Sequence, residues 1–218
     1  MQYLVVYFLT SLLLSACGNH NAEVIVTKIE THDFLRDIPV YTEDSLVNIV
    51  VEIPAGSNQK WEVNKQTGFL EWEWVNDDSL RIVRYLPYPA NYGMIPRTFL
   101  PATEGGDNDP LDVFLLGQAV ERGSIVPARI IGIIRILDRG EQDDKLIAVP
   151  ADDWHYDIYT LEQLNAQFSG IADILVNWLI NYKGEGVVEV QGVDNEDLAD
   201  VILRSSIKAF ESRDEKIQ

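Results

Sequence analysis

The chain predicts an α+β fold built on a barrel-like sheet, and three observations predict it. Short β-like runs come first, helical periodicity comes last, and one long apolar run is interrupted by proline and glycine. The short runs are Glu23 to Ile29, Leu46 to Ile53, Lys60 to Val63, Phe69 to Trp74 and Leu80 to Tyr85. Several alternate apolar with polar residues, as a strand with one buried face requires. Ile125 to Leu137 is longer and carries Pro127 and Gly132, so it reads as a bent or bulged strand of the kind that lets a sheet close. Helical spacing then appears in Ile171, Ile174, Leu175, Trp178, Leu179 and Tyr182, and less strongly in Leu198, Val201, Ile202, Ser205 and Ala209. Asp194 is the expected N-cap of that last helix. Trp61, Trp72, Trp74, Trp154 and Trp178 read as packing residues.

A length of 218 residues with 46% hydrophobic content suits one domain with a substantial core, and no internal repeat or low-complexity block divides it. The formal net charge of −18 argues against nucleic acid or an anionic membrane as a partner held by simple attraction. An anionic substrate would need metals and local cations. Met1 to Ala16 is apolar and ends in Leu14-Ser15-Ala16-Cys17, followed by the polar Gly-Asn-His-Asn. A bilayer span takes about 20 apolar residues, so this stretch reads as an export signal. The tetrapeptide resembles a bacterial lipobox, although no Lys or Arg precedes the apolar region. The expected organisation is a lipoprotein-type signal peptide over 1–16, a tether over 17–22 with lipid on Cys17, and one domain over 23–218. The protein would then sit lipid-anchored at a bacterial membrane, facing the periplasm or the cell exterior. With its one cysteine lipidated, the mature chain would hold no disulfide.

The chemistry concentrates between Gly106 and Leu116, where Asp107, Asp109 and Asp112 fall within six residues at the mouth of an apolar β-like run. Asp is a poor strand former and like charges this close repel, so such a cluster usually persists because a divalent cation offsets the repulsion. A second acidic segment, Asp138-Arg-Gly-Glu-Gln-Asp143-Asp144-Lys145, ends another apolar stretch. Two acidic strand ends can converge on one metal cluster. The spacing is not that of a calcium helix-loop-helix. With His20, His32, His155 and Cys17 scattered, it is not that of a zinc site either. Oxygen ligands point to magnesium or a similar hard cation.

These residues resemble a family I soluble inorganic pyrophosphatase. The family's Asp-x-Asp-Pro-x-Asp-Val signature stands here as Asp107-Asn108-Asp109-Pro110-Leu111-Asp112-Val113. In chain order around it lie Val-Glu52-Ile-Pro, Lys60-Trp61-Glu62, Leu80-Arg81-Ile-Val-Arg84, Tyr88-Pro-Ala-Asn-Tyr92-Gly, then Asp138, Asp143 and Lys145, and finally Tyr182-Lys183. The resemblance implies a closed or nearly closed OB-like β-barrel with helices packed outside. It also implies several Mg²⁺ ions per site, pyrophosphate as substrate split into two orthophosphates, and assembly as a homo-oligomer, dimer or hexamer.

By the same resemblance Asp107, Asp112 and Asp143 would hold the metals that bind the attacking water. Asp138, with Asp143, would hold metal arriving with substrate, and Glu52 would act as a ligand directly or through water. Asp109 would be the general base. Lys60, Arg81, Tyr92, Lys145, Tyr182 and Lys183 would bind phosphate, with Glu62 holding Lys60 or Arg81 and Tyr88 in support. Guanidinium grips two phosphate oxygens, ammonium supplies a point charge, and phenols donate hydrogen bonds without adding net charge. Arg84, three residues from Arg81, is the alternative guanidinium. Two positions depart from the pattern: Arg139 follows Asp138 where many relatives carry an acidic residue, and Asn64 stands where an Asp is common. The competing function is a lipid-anchored, non-catalytic phosphate or metal binder on the same fold. A mere binder has little need of a base at Asp109.

Overall fold

The computed structural model describes residues 26–152 and 157–214. The signal segment, the tether with Cys17, Trp154 and His155 lie outside them. Among the described residues the strands run in the order β1 (Lys28–Ile29), β2 (Val47–Ile53), β3 (Trp61–Val63), β4 (Leu70–Trp72), β5 (Trp74–Asn76), β6 (Ser79–Leu80), β7 (Asn91–Met94), β8 (Asp112–Leu115), β9 (Ile125–Asp138), β10 (Glu141–Gln142) and β11 (Lys145–Pro150). Two helices follow, α1 (Leu161–Gln167) and α2 (Ile171–Tyr182), then β12 (Val188–Asn195) and α3 (Glu196–Asp214). No helix among the described residues is long and apolar enough to cross a membrane.

The sheet closes on itself. β2 pairs antiparallel with β7, β7 with β8, β8 runs parallel to β11, and β11 pairs antiparallel with β9. β9 then returns to β2, with Val47 opposite Ala128 and Val50 opposite Ile125. The 14-residue β9 accomplishes this by changing partners along its length: β2 first, β11 next, then β12 and β10. Its register against β11 slips between Ile147 and Ala148, opposite Gly132 and Ile130, and this bulge supplies the bend expected from the Pro127 and Gly132 run. Gly93 on β7 is needed for close approach, because a Cβ there would lie 1.9 Å from the Val50 carbonyl oxygen of β2. The architecture is the expected α+β, OB-like near-barrel with helices outside.

Both faces of the sheet are covered, which is why all seven residues of β2 are buried instead of alternating. One core joins Val50, Phe114, Ile134 and Ile147 to Leu175, Trp178 and Leu179 of α2. The other joins Ile49, Val51, Val113, Leu115 and Ile133 to Ala199 and Leu203 of α3.

Several local expectations are corrected. Leu80 to Tyr85 is not a strand beyond Leu80: Ile82 makes a single bridge to Gln59, and the Val83 and Tyr85 carbonyls accept instead from the Asn58 side chain. A side-chain amide thereby replaces a neighbouring strand. Phe69 to Trp74 divides at Glu73 into β4 and β5, and Trp74 is 52% exposed, not packed. Asp194 does not cap α3. Its carboxylate pairs with Arg135 at 2.8 Å, while the Asn195 side chain accepts from the Leu198 amide at 3.3 Å. Helix α1 was not expected. It is short, it starts at the Thr160 cap whose hydroxyl accepts from the Gln163 amide, and it buries only Leu161 and Leu164.

Candidate active site

The barrel register brings the two acidic segments together. Parallel pairing of β8 with β11 sets Asp112 opposite Lys145, and antiparallel pairing of β7 with β8 sets Met94 opposite Asp112. Tyr92, two residues before Met94, projects to the same face of the pleat and donates its hydroxyl to Asp112 Oδ2 at 2.6 Å. Lys145 is 2% exposed, and its ammonium group donates to Asp112 Oδ2 at 2.5 Å and also to Asp143. The loops are further joined by a parallel bridge of Gly106 with Gln142, whose amide donates to the Gly105 carbonyl at 2.8 Å.

Asp107 and Asp109 occupy the turn that this bridge anchors. The Asp107 carboxylate accepts from the Asp109 amide at 3.0 Å. Asn108 adopts a left-handed φ of 64° and accepts from the Ala102 amide at 3.1 Å through its side chain. Asp109 is more open, with its side chain 38% exposed and paired with Lys65. Asp138 ends β9 and receives the Lys183 ammonium on one oxygen. Arg139 and Gly140 follow with φ of 52° and 90°, so the residue that departs from the family pattern makes the turn into β10.

Glu52, Lys60 and Glu62 line a small cavity with Lys65, Asp109 and Asp112. Glu52 is 4% exposed and accepts from the Val63 amide at 2.7 Å. Lys60 pairs with Glu62 at 2.5 Å and lies 5.7 Å from the Tyr92 ring centre. Glu62 thus holds Lys60, whereas the carboxylate on Arg81 is Glu73, at 2.7 and 2.8 Å. Arg84 is exposed, and Arg81 is electrostatically close to both Glu62 and Tyr182. Tyr182 stacks on Trp178, and Tyr88 is buried between Trp178 and Tyr92.

The electrostatics explain why this arrangement invites a cation. Burial, together with Asp143 and Asp112, pushes the Asp107 carboxyl up to about 7. Burial also pushes Glu52 up to about 8 despite the nearby Lys60. Burial works against charge at Asp143 too, but Lys145 and Lys183 hold it below the usual carboxylate range. At Lys145 itself, Asp112 and Asp143 outweigh burial and raise the ammonium far above its ordinary value. Three ammonium groups, of Lys65, Lys145 and Lys183, face five carboxylates, of Asp107, Asp109, Asp112, Asp138 and Asp143. Two buried carboxylate oxygens of the site have no hydrogen-bond partner: Asp109 Oδ1, which has only the ion pair with Lys65, and Asp138 Oδ1. An excess of carboxylate oxygens with an orphaned buried acceptor fits a hard divalent cation in charge and donor type. Among the described residues no three of these acids yet gather at ligating distance, because Lys145 stands between Asp112 and Asp143.

Three contributors were not foreseen in the sequence: Lys65 on Asp109, Glu73 on Arg81, and Trp178 beneath Tyr182. Lys65 is a single polar residue in a turn, and Glu73 is one polar member of the alternating run Phe69 to Trp74, so nothing distinguishes either from a surface charge. Trp178 carried a helical signal that read as packing alone.

A family model described as inorganic pyrophosphatase matches residues 49–211. The inorganic pyrophosphatase of Helicobacter pylori (strain ATCC 700392 / 26695) is 33% identical over 181 residues, which cover 77% of this chain and 92% of that protein. The soluble inorganic pyrophosphatase PPA1 of Solanum tuberosum is 44% identical over 117 residues, 53% of this chain and 50% of that protein. The chain therefore spans about half the length of the plant relatives it matches. Among solved structures, the Helicobacter pylori enzyme superposes with a TM-score of 0.66 at 31% identity, covering 81% of this chain and 99% of that one. The type I inorganic pyrophosphatase of P falciparum shares the fold, with a TM-score of 0.75 at 23% identity, covering 84% and 65%. With the match running from β2 well into α3 and taking in both acidic loops, the chain belongs to the family I inorganic pyrophosphatases.

Proposed function

We propose that the chain hydrolyses inorganic pyrophosphate to two orthophosphates in a magnesium-dependent reaction. The observation that carries this reading is the single ammonium of Lys145 joined to Asp112 and Asp143, with Asp107 pressed against the same carboxylates and Lys183 on Asp138. The ammonium groups there offset part of the carboxylate charge, and bound metal would offset the rest and admit phosphate.

Asp107, Asp112, Asp143 and Asp138, with the buried Glu52 on β2, would hold the ions. Magnesium bound there would screen phosphate charge and ease deprotonation of the attacking water. Asp109 would accept the proton, and its partial exposure lets a water reach it. The water oxygen bonds to one phosphorus, the bridging P–O bond breaks, and the second orthophosphate leaves. Lys60, Arg81, Lys145 and Lys183 would neutralise the oxygens of both halves, while Tyr92 and Tyr182 would donate hydrogen bonds to them. Lys145 and Lys183 would exchange carboxylate for phosphate as the ions arrive, an exchange of equivalent partners that leaves neither charge buried alone.

The test is phosphate release from pyrophosphate, with magnesium and with chelator, by wild type and Asp109→Asn. Wild type should require the metal, and the variant should lose about 10²–10⁴ in kcat while still binding magnesium. Activity that survives chelation, or an unaffected variant, would refute the mechanism. A non-catalytic binder would show no release at all.

A further inference from the structure

We propose that Trp178 is a positioning residue for this hydrolysis: it fixes the Tyr182 ring, and with it the Tyr182-Lys183 end of α2, against the phosphate-binding face. The inference rests on the pyrophosphatase reading. Trp178 and Tyr182 are four residues apart on α2, so their rings meet on one helical face, with centres 4.3 Å apart and planes 11° from parallel. The indole also meets Tyr88 at 4.4 Å and turns its edge to Phe114 at 6.3 Å and 88°.

Filling the core would need only apolar volume at this position. Trp178 does more, because its Nε1 donates to the Leu86 carbonyl at 2.9 Å and thereby locks the ring's rotation. Leu86 opens the segment that carries Tyr88 and Tyr92, and Tyr92 donates to Asp112. One side chain therefore ties the helix end bearing Tyr182 and Lys183 to the strand bearing Tyr92. Lys183 directly follows the last helical residue and reaches Asp138, so any drift of that last turn moves both phosphate-binding groups together.

A double-mutant cycle tests this in the full-length protein. Tyr182→Phe keeps the stack and removes only the hydroxyl, whereas Trp178→Leu keeps apolar volume and removes the stack and the indole N–H. Each single substitution should lower kcat/KM by about tenfold, chiefly through KM, and the double variant should fall well short of the hundredfold product, its excess over Tyr182→Phe alone reporting the displaced Lys183. Affinity for imidodiphosphate, measured by calorimetry, should show the same non-additivity. Trp178→Phe retains a ring and should fall between wild type and Trp178→Leu; it also carries the cycle should Trp178→Leu fail to fold. Additive losses, about a hundredfold in the double variant, would show that Trp178 merely packs, and would overturn the inference alone. Absence of hydrolysis by wild type would overturn the pyrophosphatase reading and the inference with it.

Discussion

Arg81 and Arg84 differ in what surrounds them, not in chemistry. Arg81 is half-buried, held by both oxygens of Glu73 and close to Glu62 and Tyr182, while Arg84 is exposed. A guanidinium already fixed by a carboxylate loses little freedom when it grips phosphate. Arg81→Ala should therefore raise KM for pyrophosphate by roughly ten- to a hundredfold, the usual worth of a charge-assisted hydrogen bond, and Arg84→Ala should leave it within about twofold. The reverse order in steady-state kinetics would return the role to Arg84. The sequence could not separate the two, because the distinction lies in Glu73, whose pairing depends on how β4, β5 and the Arg81 segment fold together. The aspartates were legible because three carboxylates in six residues violate local preference unless something compensates. Lys65 was not, because a lysine in a polar turn violates nothing.

Among the elements, β7 and β2 set the geometry of the site through one close contact. Gly93 stands opposite Val51, and a methyl group there would collide with the Val50 carbonyl oxygen of β2. Gly93→Ala should destabilise the protein by about 3 kcal/mol in urea unfolding, at the upper end for overpacking, since a backbone atom cannot turn aside. A loss below about 0.5 kcal/mol, the range of ordinary surface changes, would show that the strands sit farther apart than described. The strands with alternating or continuous apolar character were readable in advance, as was α2 from its six-residue stripe. Leu80 to Tyr85 has the same composition but is recruited by the Asn58 amide, a tertiary choice that local periodicity does not encode. Helix α1 has no legible period in the sequence, because seven residues with two buried leucines are too few to show one.

Taken as a whole, the molecule carries a formal net charge of −18, and burial holds two carboxyls of its site, those of Asp107 and Glu52, toward the protonated form. Asp107 near 7 and Glu52 near 8 both lie above their ordinary values, so the folded metal-free state binds more protons than the unfolded chain. Their contribution to stability is fully present at pH values below the ordinary carboxylate range and is lost as pH rises through about 7 to 8. Asp143 and Glu62 are shifted down and act in the opposite sense, losing their contribution as pH falls through their folded values. In chelator, the Tm should therefore decline between about pH 5 and 8, and magnesium should flatten that decline by holding Asp107 ionised. A Tm that rises over this interval without metal would contradict the account. That both acidic loops face one site was legible as an expectation from their shared position at strand ends. Its cause, the parallel pairing of β8 with β11, is a non-local fact that only the folded chain displays. The most direct measurement is calorimetric titration of magnesium into substrate-free Asp112→Asn, Asp143→Asn and the double variant. A shared nest predicts that either substitution alone abolishes the same high-affinity binding and that the second removes nothing further. Two independent losses that add would mean that the loops bind cations separately.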